Sequence, residues 1–148
     1  MSAKPFKRPE SVLVVVYTIG GEVLVLRRRY PPDFWQSVTG SLEWGEQDPM
    51  MTARRELFEE TGLGDGCVII DCATTNRFPI KAEWRRRYAP DVVENMEYVF
   101  RVELPQRIAV ALNPEEHSDY LWLPRAEAAA QVFSYTNRDA ILKFVPAR

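Results

Sequence analysis

A chain that opens on strands, passes through one strongly marked helix, returns to strands and closes on short helices should fold as a mixed α/β, or α+β, sandwich. Three observations predict this. Residues 11–18, SVLVVVYT, are a near-continuous β-branched run. Residues 49–61 carry apolar positions at helical spacing between a good cap and a glycine stop. Two further short helices, over 124–132 and 137–144, follow the last strand. Residues 1–148 are expected to form a single domain, long enough to bury a real core.

Taken in order, residues 1–10 set Lys4, Lys7 and Arg8 among Pro5 and Pro9, a basic extended arm expected to be solvated. The strand over 11–18 turns at Gly20-Gly21 and returns over 22–26, so the pair should be a hairpin. The return strand ends in Arg27-Arg28-Arg29, with Arg28 expected on the face opposite its two neighbours. A loop over 30–33 leads through Phe34-Trp35 to Gly40, where an aromatic pair most simply packs in core or loop. After the helix, 67–72 (CVIIDC) reads as a strand, and 77–88 and 97–104 as two longer strands. Arg85-Arg86-Arg87 should then split across two faces. Residues 113–117 (NPEEH) form a polar turn, and 120–123 (YLWL) a short strand. The helix over 124–132 has an alanine-rich face, and 134–137 (SYTN) separates it from the last helix.

The stretch 40–63, GSLEWGEQDPMMTARRELFEETGL, organises the rest. Asp48 suits an N-cap, Pro49 the first helical position and Gly62 a C-terminal stop. Met50, Ala53, Leu57 and Thr61 share one stripe and should face a core. Glu56, Glu59 and Glu60 stand at i, i+3 and i+4, which gathers three carboxylates on a neighbouring wedge. A bare E-x-x-E-E is ordinarily a solvated acidic face. Like charges that close gain nothing unless solvent or a cation offsets their repulsion. A hard cation such as Mg²⁺ takes oxygen ligands, typically one or two carboxylates plus substrate phosphates. Arg55, four residues before Glu59, can hold that carboxylate in place.

Composition narrows the function classes. Hydrophobic residues at 46% and charged at 27% are ordinary for a soluble globular protein. A net charge of -2 lacks the basic footprint of a nucleic-acid binder. Cys67 and Cys72 make no disulfide framework and, with one histidine, a poor zinc site, so both are expected to act as small buried hydrophobes. No apolar run approaches the length of a membrane span and the first ten residues lack a signal-peptide core, so no membrane partner and a cytoplasmic location are expected.

The same stretch resembles the Nudix box, G-x5-E-x7-R-E-U-x-E-E-x-G-U with U aliphatic. Gly40, Glu46, Arg55, Glu56, Leu57, Glu59, Glu60, Gly62 and Leu63 match by type. One departure is that eight residues, not seven, separate Glu46 from Arg55, with the extra one near Gln47 or Asp48. The resemblance implies an α/β/α sandwich with a mixed β-sheet and the acidic helix against one sheet face. It implies Mg²⁺-dependent hydrolysis of a small-molecule triphosphate, with Mn²⁺ as an alternate ion. Glu56 and Glu60 are then the principal metal ligands. Glu59 would ligate a second ion or help deprotonate water, and Arg55 would orient the cluster. The family often adds an acid from a distant loop. Glu116 is the candidate for that metal-binding and catalytic role, with Glu115 and Glu97 behind it. Further segments, among them PDFWQSVTGSLEWGE, RRRYAP, Glu116-His117 and SYTNR, are similar to a branch that removes pyrophosphate from a pterin triphosphate in bacterial folate synthesis. Lys7, Arg28, Thr39, Phe78, Pro79, Ile80, Lys81 and Ser134 fall at that branch's substrate-contacting positions. Lys7 and Arg28 supply charge for phosphates, Thr39 and Ser134 hydroxyls, and Phe78 a ring for stacking. Two rivals stay open: a general nucleoside triphosphate pyrophosphatase, and a binding module of the same fold without hydrolysis.

Overall fold

A computed structural model describes residues 6–147. Strand β1 (Glu10–Thr18) is its spine. Val12, Val14 and Val16 point to one side and Leu13, Val15 and Tyr17 to the other, and all six are essentially inaccessible to solvent. A strand covered on both faces has no solvated side to alternate with, which is why it reads as one apolar run. The hairpin partner β2 (Glu22–Arg28) pairs antiparallel at Tyr17↔Val23, across a turn where Gly21 takes φ 88. Such a left-handed turn position suits glycine.

Short strands β3 (Trp35–Gln36) and β4 (Val38–Ser41) follow. β4 lies antiparallel to the first half of β1, from Ser11↔Ser41 to Val14↔Val38. Helix α1 (Pro49–Thr61) comes next, then β5 (Ile70–Pro79), β6 (Glu94–Leu104) and β7 (His117–Pro124). β6 runs parallel to β1 along its whole length, Glu10↔Met96 to Thr18↔Leu104. β4 and β2 therefore share the other side of β1. The sheet has seven strands in the path β3-β2-β1-β6-β5, with β4 joined to β1 and β7 to β2. It is mixed, as expected.

Two cores fill the two faces. Ala53 and Leu57 of α1 pack on Val12, Val14, Leu24, Leu26, Phe100 and Val102. Helices α2 (Arg125–Gln131) and α3 (Tyr135–Phe144) bring Ala128, Ala129, Ala140 and Ile141 onto Leu13, Val15, Tyr17 and Val99. The layering is thus α/β/α. Helix α1 begins and ends at the residues its caps indicate: Asp48 accepts the Met50 N–H at 3.0 Å, and Gly62 takes φ 83.

Several expectations need correction. The strand expected over 77–88 ends at Pro79, and 82–87 form a 3₁₀ turn instead. Pro79 lacks a ladder donor and closes an edge strand. The arginine run 85–87 therefore has no strand faces to divide between. The strand expected over 67–72 starts at Ile70 and continues past a bulge, where Ala73 takes φ 52 and its N–H bonds the Asp71 carboxylate at 2.8 Å. The last helix begins two residues early because Ser134 caps it, accepting the Asn137 N–H at 3.2 Å. The basic arm is not solvated beyond residue 6: Arg8 bonds Glu10 at 2.7 Å and the carbonyls of Glu43 and Glu46 at 2.9 and 2.7 Å. Lys4 lies outside the described residues. Cys67 and Cys72 are half-buried rather than fully buried, each against one of the two cores.

Candidate active site

The acidic helix treats its carboxylates unequally. Glu56 and Glu60 are turned inward, 8% and 1% exposed, so the solvated-face reading fails for both. Glu59 points out, its side chain 44% exposed, and lies 3.4 Å from Arg55 Nη1. Arg55 is the hub. Its Nε and Nη2 bond the two Glu46 oxygens at 3.0 and 2.9 Å, its Nη1 bonds Glu56 at 2.6 Å, and its Nη2 also reaches the Ser41 carbonyl at 3.1 Å. Thr52 and the Glu43 N–H complete the shell of Glu46 at 2.9 and 2.8 Å. Glu46 thus reaches Arg55 despite the extra residue, which is taken up in the exposed loop around Gln47. These donors, Arg55 first, hold the Glu46 carboxyl down to about 2.

Glu60 is the opposite case. Neither of its carboxyl oxygens has a hydrogen-bond partner. Burial, and then the Glu56 carboxyl one turn away, push it well above the usual carboxylate range. Burial also lifts Glu56 to about 7, against the pull of Arg55. His117 Nε2 stands 3.9 Å from Glu60 but offers no cation, because burial and the nearby Arg28 push its pKa down to about 4. Gln36 Nε2 lies 3.3 Å from the same ring nitrogen. That nitrogen then accepts, and the proton sits on Nδ1, which has no partner.

A buried carboxyl without a donor, as in Glu60, beside a second buried one held by Arg55, is costly unless something cationic meets the pair. Mg²⁺ fits: it favours one or two carboxylates and completes an octahedron with water and phosphate oxygens. Among the described residues no group of three or more His, Cys, Asp or Glu side chains is arranged to hold a metal. Gly40 is fitted to the pair. A Cβ on it would stand 1.8 Å from Glu56 Oε2.

The carboxyls lie at one end of an open cleft of about 850 Å³. Lys7, Arg28, Thr39, Phe78, Pro79, Ile80, Lys81, Ser134 and Glu116 all line it, with Glu115 and Glu97. Glu59 and Arg55 do not. The charge of Glu116 bears on Glu60, as that of Glu97 does not. Lys7 is half-buried, and burial followed by the charges of Arg87 and Arg28 lowers its pKa. Burial, and then Arg87, likewise lower the pKa of Arg28, so the three cations repel one another. The Thr39 hydroxyl is committed to the Val12 carbonyl at 2.9 Å. The far wall is aromatic: Phe34 stacks on Phe133 at 4.4 Å, Trp84 stands 6.4 Å from Phe34, and Lys81 Nζ sits 4.0 Å from the Phe133 ring centre.

Trp84, Arg87, Asn95, Phe133 and Asn137 also line the cleft, and the sequence alone does not single them out. The strand expected over 77–88 hides Trp84 and Arg87. No local pattern marks Asn95, Phe133 or Asn137, since only tertiary pairing brings them to the cleft.

Comparison with known proteins bears on the assignment. A family model described as NUDIX domain matches residues 7–144. Dihydroneopterin triphosphate diphosphatase from Escherichia coli is 44% identical, over 98% of this chain and 97% of its own. The protein of the same name from Haemophilus influenzae is 37% identical, over 95% and 89%. The solved structure of the E. coli dihydroneopterin triphosphate pyrophosphohydrolase superposes with a TM-score of 0.87, covering 96% of this chain and 98% of that one.

Proposed function

The chain belongs to the NUDIX family as a Nudix hydrolase, and on that premise we propose that it hydrolyses dihydroneopterin triphosphate to the monophosphate and pyrophosphate, in cytoplasmic folate synthesis. One observation carries the reading: Glu60, buried without a donor, stands beside the buried Glu56, itself held by Arg55, in a cleft whose walls hold Lys7, Arg28 and Arg87. A triphosphate with its cation answers both imbalances.

In this reading Glu56 and Glu60 hold Mg²⁺, with Mn²⁺ as an alternate. When bound, the ion would supply positive charge for phosphate oxygens and acidify a water. Arg55 fixes Glu56 through the bond at 2.6 Å and is itself fixed by Glu46. Lys7 and Arg28 neutralise phosphate oxygens; a guanidinium offers paired bonds to them. Glu116, exposed at the cleft mouth beside this end, takes the proton of the attacking water or joins the metal shell. Glu59 acts through Arg55 or at a second ion. Phe78 offers a ring face to the heterocycle, while Pro79, Ile80, Lys81 and Ser134 close the pocket around it.

The test is a side-by-side assay with Mg²⁺ on dihydroneopterin triphosphate and the common dNTPs, with the released phosphate species identified. A higher kcat/KM for the pterin with pyrophosphate released is expected. Equal or better rates on dNTPs would replace this reading with a broad nucleotide pyrophosphohydrolase. Binding without turnover of any would replace it with a non-hydrolytic module.

A further inference from the structure

Glu97 is an acid of the cleft that the hydrolytic end does not use. The β1–β6 register sets it beside Ser11, and sets Val99 beside Leu13 two residues on. Val99 and Leu13 are core beneath α2 and α3. At the cleft the same sheet face turns polar, with Ser11, Asn95 and Glu97, and α3 adds Thr136 and Asn137. All five are buried, Glu97 to 6% exposure. Three of these groups are already engaged. Asn137 spends both ends of its amide on Ser37, at 2.8 and 2.9 Å, and Asn95 bonds Ser11 at 2.8 Å. The Glu97 carboxyl receives the Asn76 amide at 3.2 Å and some help from the Thr136 hydroxyl. An ionised carboxylate has about four lone-pair sites. Two donors leave part of that capacity open, and Glu97 lines the same cleft as Phe78, Ile80, Trp84 and Phe133.

Resting on the pterin-triphosphate reading above, we propose that Glu97 sets base specificity by accepting two parallel N–H bonds from a 2-amino-4-oxo heterocycle. The donors are the ring N–H and the exocyclic amino group, an edge that pterin and guanine share. Adenine turns a lone pair toward the carboxylate there, and hypoxanthine lacks the amino group. A buried acceptor left unpaired by the wrong base is what makes such a site selective.

Wild type and Glu97→Gln are compared by kcat/KM on dihydroneopterin triphosphate, dGTP and dATP. The variant should lose roughly 10- to 100-fold on the first two, mostly through KM, the range for one bidentate base contact. It should keep dATP turnover within about threefold, since no such contact is lost there. An equal loss on all three means a structural role and overturns the proposal, as does no loss on any. Should the variant fold poorly, the wild type alone decides: dITP should be roughly tenfold worse than dGTP, and parity overturns the proposal. A wild type active on dNTPs but not on the pterin would sink the substrate reading, while the dGTP to dITP ratio still judges Glu97. With no turnover at all, calorimetric binding decides: dGTP should bind about tenfold more tightly than dITP, and equal affinities overturn the proposal.

Discussion

Two carboxylates of one short stretch, Glu46 and Glu60, are treated in opposite ways. Glu46 has Arg55, Thr52 and the Glu43 N–H around it, and its pKa is held down to about 2. Glu60 has no donor, and its pKa is driven up. The first arrangement is complete as it stands and braces the helix. The second is incomplete in the protein alone and awaits a cation. A motif that writes both as the same letter hides this difference; burial and hydrogen-bond partners expose it.

The largest effect should come from breaking the incomplete side. Glu60→Gln should lower kcat about a thousandfold, several kcal/mol of lost charge stabilisation. Yet its metal-free melting temperature should hold or rise, because a buried carboxyl without donors, whose ionisation burial penalises, is replaced by a neutral amide. Mg²⁺ should raise the melting temperature of the wild type and leave that of the variant unmoved. A variant with full activity removes Glu60 from the metal set.

Breaking the brace comes next. Arg55→Ala should cost roughly 10- to 100-fold in activity, as for partners that orient metal ligands, with kcat falling more than the affinity for substrate. It should also destabilise, since Glu46 and Glu56 lose their shared cation. Loss of substrate affinity alone would mean that Arg55 contacts substrate instead.

The brace also has a pH signature. The Glu46 pKa is depressed in the fold, so its contribution is complete above its ordinary value near 4.5 and is lost as pH falls toward about 2. The amplitude should be about 2 kcal/mol, reduced for the partial exposure of Arg55. Denaturant melts of wild type and Glu46→Gln between pH 2 and 6 would show it. Their stabilities should converge at the acid end, and parallel curves would contradict the assignment.

The smallest change should come from shortening the loop between the two. Gln47 is exposed and neither caps the helix nor bonds Arg55. Deleting it should leave activity within about threefold, as surface loops tolerate length changes. A collapse would show that the extra residue sets the distance from Glu46 to Arg55.

Much of this is legible in the sequence because it is local. The caps at Asp48 and Gly62, the Ala53–Leu57 stripe and the turn at Gly21 each follow from a few neighbouring residues. The placing of Lys7 and Arg28 comes through resemblance, and the cleft does bring them together. The burial of Glu60, the neutral state of His117 and the polar nest around Glu97 depend on which strands become neighbours. Propensity misleads where composition is ambiguous. Residues 82–87, AEWRRR, mix an aromatic with helix formers, and the proline at 79 decides the outcome. Ser134 looks like an interruption between helices, although its hydroxyl is what starts α3.

The parallel pairing of β1 with β6 also sets a timetable. Residues 10–18 leave the ribosome early, but the partner that completes their sheet is residues 94–104, and α3 covers their second face only at residues 135–144. β2, β4 and α1 precede both in the chain, so what waits longest is the other edge of β1 and the face of Leu13, Val15 and Tyr17. Chains emerge at about 5–20 residues per second, so the wait is several seconds. An unpaired strand edge exposed for that long is open to pairing with another chain.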